Sequence, residues 1–238
     1  GCRRILTCAT EHKAVLATAQ HLADGERVTL GLLDLDEAGR VDLERLEATL
    51  ADGIPTMVSV MHGNNEVGIL QDIEAIGHCC HRHNAFFHTD TVQTMGHYRL
   101  DLASLPIDFA ACSAHTQHGP KGAGFLYVRD GLRIGAHIMG GAQERAMRGG
   151  TENLMGIMGL ATAFDLAMAD LDDHARHIRA LKQQMVEGLT EAVGEGNRML
   201  GGDPRAGRAI EAEHDRAGER RLARHDGPAV EVVRLLHA

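Results

Sequence analysis

The feature that most constrains this chain is alternation. Short apolar, β-prone runs are separated by stretches of helical period. "RRILTCAT" reads as a strand. "EHKAVLATAQHLA" follows it as a helix, with Ala14, Val15, Ala19 and Leu22 on one face and Thr10 placed as its cap. "RVTLGLL" is a second strand, "DLERLEATL" a short amphipathic helix, and "PTMVSVMH" a buried strand. The polar loop "GNNEVGILQ" leads to a helix in "DIEAIGHCCHRH" and a strand in "NAFFHTD". "PIDFAACS" and "GFLYVRDG" are strands around the loop "AHTQHGPKGA". A glycine-rich loop, "GGAQERAMRGGTEN", then opens a long helical pattern from about Leu154 to Val193. Such alternation predicts an α/β fold, a mostly parallel sheet sandwiched by helices. Ligands of such sheets sit outside the carboxyl ends of the strands. The polar clusters fall at those ends: His62 to Glu66, His88 to Gln93, and Ser113 to His118.

Bulk properties narrow the class. The 238 residues suffice for one large α/β domain with part of a second. A formal net charge of -9 argues against nucleic acid as a partner, since Lys and Arg do not cluster before the last forty residues. No apolar run approaches the ~20 residues of a membrane span, and no secretory leader opens the chain. Five cysteines, an odd number without C-x-x-C spacing, point to free thiols and a reduced, cytoplasmic setting. The chain begins at Gly1 and enters a strand almost at once, which reads as an incomplete amino-terminal part. The last stretch, from Gly201, has seven Arg, no Lys and poor periodicity. It reads either as a solvated charged helix or as a segment foreign to the fold.

Five stretches carry chemistry. In "HTDTVQ", Asp90 at a strand's carboxyl end can hold a protonated ring nitrogen, and Gln93 can donate to a phenolic oxygen; the plainer reading of Asp90 is a helix cap. In "HGNNEVG", one of Asn64 and Asn65 is expected to serve the turn, while the other can reach a ligand. In "TEHK", His12 can stack on a flat ring or shuttle protons, or simply cap the helix. In "SAHTQHGPKG", Ser113, His115 and nearby backbone amides suit a phosphate, although no Walker loop is present. "MRGGTEN" adds Arg148 and Thr151 ahead of a helix, an arrangement that suits an anion or leaves Thr151 as a cap. Sixteen histidines also raise metal binding, with His88, Asp90 and His115 as a candidate set.

Taken in order, "TEHKAVL", "VSVMHGNNEVG", "FHTDTVQTMG", "SAHTQHGPKGAGFLYVR" and "GGAQERAMRGGTEN" resemble the cysteine desulfurases of the class V aminotransferase family, which have the pyridoxal phosphate (PLP) fold-type I architecture. The resemblance runs from about Arg4 to about Leu200. It implies a cofactor-binding large domain over residues 1–160, a long helical connection over 161–200 and an Arg-rich aberrant tail over 201–238, in place of the small carboxyl-terminal domain. It also implies that His12 stacks on PLP, Asp90 pairs with its pyridine nitrogen, and Gln93 bonds its phenolic oxygen. Asn65 would help hold cofactor and substrate, Ser113 and His115 would bind the phosphate, and Thr151 would reach the phosphate of a neighbouring subunit in a homodimer. The family's reaction takes L-cysteine to L-alanine and leaves sulfur on the enzyme for an acceptor protein.

The sequence departs from that pattern. Thr116 stands where the family has the lysine that joins PLP covalently, and a hydroxyl cannot replace an amine there. Lys121 belongs to the Gly-Pro-Lys-Gly turn, which the family also has. No cysteine follows Cys112 to accept sulfur, and an Ala-Thr-Glu phosphate turn would lie ahead of Gly1. The expectation is therefore a protein of this family with little or no desulfurase turnover and PLP held non-covalently if at all. The other readings are a non-catalytic partner of a desulfurase and a metal-binding protein.

Overall fold

A computed structural model describes residues 1–193. The Arg-rich segment and the expected end of the helical connection lie outside the described residues. Six strands form one sheet: β1 (Arg4–Thr7), β2 (Thr29–Leu32), β3 (Thr56–Ser59), β6 (Phe86–Asp90), β7 (Phe109–Ser113) and β8 (Gly124–Val128). Their order is β2-β1-β3-β6-β7-β8. The first five run parallel, and β8 alone is antiparallel to its neighbour β7. The expected "mostly parallel" α/β sheet is the one observed.

Helices α1 (Lys13–Asp24), α2 (Leu43–Leu50) and α3 (Ile73–Arg82) connect the parallel strands. Asp42 and Asp72 begin α2 and α3 by accepting from the Arg45 and Ala75 amides, so the aspartates written into those segments are the caps. One core lies under α2 and α3. Leu6, Val58 and Phe87 share a sheet face by register and meet Leu46, Leu50, Ile76 and Cys80 there. Burial of such aliphatic and aromatic side chains supplies about 1.5–3 kcal/mol each.

Four local readings are corrected. The cap of α1 is His12, whose Nδ1 accepts from the Ala14 amide at 3.2 Å; Thr10 instead offers its carbonyl to the Asn64 side chain. The "GNNEVGILQ" segment is a small hairpin, β4 (Gly63–Asn64) and β5 (Ile69–Leu70), because Gly68 supplies the left-handed residue that lets it turn. The long helical pattern is two helices, α5 (Leu154–Ala169) and α6 (Leu171–Val193), bent by 67° at Asp170. The glycine-rich loop contains one turn, α4 (Gln143–Ala146), left-handed at Glu144, Arg145 and Ala146.

Helix α5 seats on the loop between β7 and β8. Leu160 packs with Ala114 and Ala123, and Gly159 and Ala163 lie against Pro120 and Gly119. Among the described residues no single helix is long and apolar enough to cross a membrane.

Candidate active site

The strand register assembles one polar edge. Thr7 pairs with Ser59, Ser59 with His88, and Asp90 with Ala111. Side chains alternate faces along a strand, so Thr7, Ser59, His88, Asp90 and Ser113 share the face opposite α2 and α3. Pairing continues past β3, where the Val60 and His62 amides donate to the carbonyls of His88 and Asp90.

Asp90, half-buried at the end of β6, accepts from the Val92 amide at 2.8 Å. The cap reading is thus met in reduced form: Asp90 closes a turn, not a helix. Gln93 sits half-buried on that turn. His88 donates to or accepts from Ser59 Oγ at 2.8 Å, and burial pulls its pKa down. Burial also lowers His62, to about 4, beside its 2.9 Å hydrogen bond to Thr94 Oγ1 and its edge-on contact with Tyr98. Both are neutral imidazoles at physiological pH.

The two asparagines separate. Asn64 Oδ1 accepts from the Glu66 and Val67 amides at 2.8 and 2.9 Å, and Asn64 Nδ2 donates to the Thr10 carbonyl at 2.7 Å. Asn64 is therefore the turn residue, while Asn65 stays exposed beside it. The Thr10 bond also ties the hairpin to the start of α1, where His12 is exposed. His12 and Asn65 thus flank one corner of the edge.

Past β7 the chain makes a 3₁₀ turn, Ala114–Gln117. Ser113 Oγ lies 2.6 Å from His115 Nδ1, so these two side chains form one polar pair. Thr116 Oγ1 donates back to the Ser113 carbonyl at 2.9 Å. Gln117, buried, donates through Nε2 to Cys112 Sγ at 3.0 Å. Gly124 lies opposite Ser113, where an added Cβ would come within 2.4 Å of the Cys112 carbonyl oxygen. The close β7–β8 pairing that holds this turn therefore needs glycine at that position. Lys121 is exposed on the next turn.

Thr151 does not cap α5. Asn153 does, accepting from the Gly156 amide at 3.0 Å. Thr151 is exposed two residues earlier, and Arg148 bends onto the Gly149 carbonyl at 2.5 Å. Among the described residues neither is hydrogen-bonded to the strand ends. Nor do any three His, Cys, Asp or Glu side chains among them gather closely enough for a metal, so His88, Asp90 and His115 do not form the ligand set considered above.

One group was missed by sequence reasoning. Glu11, 6% exposed, accepts through Oε1 from the Met61 amide, and its Oε2 is buried without a partner. Burial, with the Asp90 charge adding to it, pushes its pKa up from 4.5 to about 8. Its position beside His12, in a turn leaving a strand's carboxyl end, was the signal available. An acid near a helix start is so commonly a solvated cap that the signal is easily discounted.

Residues 2–206 match the aminotransferase class-V family. The chain is 40% identical over 192 residues to a cysteine desulfurase IscS of Clostridium botulinum, which covers 80% of this chain and 48% of that protein. It is 42% identical over 187 residues to a cysteine desulfurase IscS of Ruthia magnifica, covering 78% and 46%. Among solved structures, a NifS-like protein superposes with a TM-score of 0.75 at 40% identity, over 80% of this chain and 52% of the other. A NifS-like protein from Rickettsia africae gives 0.72 at 30% identity, over 80% and 52%. The chain spans about half the length of these relatives.

Proposed function

The chain belongs to the aminotransferase class-V family, and from that premise we propose that it is the large domain of a cysteine desulfurase-type protein, one that holds PLP without a covalent bond and does not turn L-cysteine over. The observation that carries this reading is Thr116. Its hydroxyl is engaged by the Ser113 carbonyl, and a hydroxyl offers no amine to the cofactor.

The donor set fits PLP as a non-covalent ligand. Asp90 would hold a proton on the ring nitrogen, with Gln93 on the adjoining turn to donate to the phenolic oxygen. Ser113 and His115, already paired, would bind the phosphate. His12 and Asn65 would stand at the exposed corner against ring and substrate. When bound, the cofactor supplies an electron sink for the substrate's α-carbon. What position 116 lacks is an amine, and the four buried cysteines offer no ready thiolate. Burial pushes the Cys8 thiol up to about 12 and the Cys112 thiol to about 11, and raises Cys79 and Cys80 as well. Such thiols are weak nucleophiles.

The same reading includes a cytoplasmic homodimer in which Thr151 reaches the phosphate of the neighbouring site. It is supported by the exposure of Thr151 and by the apolar residues Leu154, Met155, Met158 and Leu166 that α5 leaves uncovered. It further places residues 1–160 as the cofactor domain and 161–200 as the connection to whatever follows, with L-cysteine as the ligand class and a sulfur-acceptor protein as the relatives' partner.

The experiment is the visible spectrum of the chain equilibrated with PLP and then desalted. The expected result is loss of the cofactor on desalting from the wild type and its retention, as a stable visible band, in Thr116→Lys. A band retained by the wild type and abolished in Lys121→Ala would overturn the reading.

A further inference from the structure

Glu11 joins three parts of the edge. It follows β1 by four residues, and its amide donates to the Cys8 carbonyl at 3.2 Å, which closes the turn out of the strand. Its Oε1 takes the Met61 amide across the gap to the segment after β3. That segment runs straight into His62, whose amide is fixed by the Asp90 carbonyl, and into the Asn64–Asn65 hairpin. His12, the next residue, is the cap of α1. No other side chain among the described residues is hydrogen-bonded to the Met61 amide.

We propose that Glu11 is a positioning residue of this site: its carboxyl clamps the segment behind β3 to the start of α1 and so sets where Asn65 and His12 stand relative to Asp90. This rests on the reading of the edge as a cofactor pocket.

The charge state agrees with the role. The groups facing Glu11 are the Cys8 thiol just after β1, the Asp90 carboxylate from β6, the Met61 amide from the segment after β3 and the backbone amide of His12 ahead of α1. No cation is among them; burial favours the neutral acid and the Asp90 charge adds to it, outweighing the two amides. Glu11 therefore keeps its proton in the folded chain up to about pH 8. The proton has a consequence for stability. Unfolded, the carboxyl ionises near 4.5; folded, near 8. As pH rises between those values the unfolded chain sheds a proton that the folded chain keeps, and stability falls. Glutamine in its place keeps the acceptor and removes that fall.

The test compares the full chain with Glu11→Gln and Glu11→Ala. Without ligand, amide exchange at Met61 is expected to stay slow in the wild type and in Gln, and to speed up at least tenfold in Ala, with the Asn64 and Asn65 signals shifting. In urea unfolding, the Gln variant is expected to gain on the wild type between pH 5 and pH 8. With PLP titrated by absorbance, Gln is expected to bind within threefold of the wild type and Ala at least tenfold more weakly. Equal Met61 exchange in Ala and wild type overturns the clamp, as does a Gln–wild-type difference that does not change with pH, or undiminished PLP binding in Ala. If PLP binds none of the three, the pocket reading fails alone, and Met61 exchange with the pH difference still decides the clamp. If Ala does not fold, Gln and its pH difference decide it.

Discussion

Two buried acids sit in this sheet and could hardly be housed more differently. Asp108 leads into β7, fully buried, on the side where strands begin. One oxygen accepts from the Phe87 amide at 2.8 Å and meets His81 Nε2 at 3.2 Å; Arg129 Nη2 lies 2.6 Å from the other. That last contact is an ion pair too bent to count as a hydrogen bond, and Arg129 Nε is left buried without an acceptor. Glu11, at the opposite edge, meets the Met61 and His12 backbone amides, keeps one oxygen without a partner and has no cation. A carboxyl compensated by a cation, an imidazole and an amide ties β6, β7, β8 and α3 together. A carboxyl left uncompensated stays neutral and can hold geometry without adding charge to a site. Proteins retain such poorly compensated groups where function asks for them.

The comparison can be broken most easily at Asp108. Asp108→Ala takes the acceptor from the buried Phe87 amide, His81 and the part-exposed Arg129 at once, and is expected to cost about 3–5 kcal/mol in urea unfolding. Arg129→Ala removes the charge partner but spares the Phe87 and His81 bonds, so the expected loss is about 1.5–3 kcal/mol. His81→Ala, at the rim of the cluster, should cost about 1 kcal/mol. The solvent-exposed Arg82–Glu47 pair, 2.8 Å apart, serves as the control, and Arg82→Ala should change stability by less than about 1 kcal/mol. If Asp108→Ala costs no more than this control, the cation, imidazole and amide around Asp108 give it no advantage over Glu11.

The fold was largely legible because strand and helix periods are strong local signals. The α2 and α3 caps were legible for the same reason, each aspartate standing just ahead of an amphipathic run. What escaped were decisions made across space. Thr10 and His12 are both able to begin α1; the cap falls to His12, whose Nδ1 meets the Ala14 amide, while the Thr10 carbonyl serves the Asn64 side chain. Thr151 and Asn153 competed likewise for α5, and Asn153 sits where its Oδ1 reaches an open amide. Asn64 and Asn65 were indistinguishable in sequence; only the hairpin's register turns one inward. The candidate site residues were drawn from motif order and strand-end position. Glu11 did not, since its burial depends on the Met61 segment arriving from fifty residues away.

The antiparallel strand β8 has one more consequence, in time. Each parallel pair waits for a crossover through intervening helix or loop, whereas β7 and β8 are joined by the ten residues 114–123 and pair in full register from Phe109↔Val128 to Ser113↔Gly124. Hairpins of this kind close in about 1–10 μs, well before non-local parallel strands find one another. The turn bearing Thr116, already bonded to its own Ser113 carbonyl, is therefore expected to close early, with Leu160 of α5 settling on Ala114 and Ala123 once the chain returns to cover it.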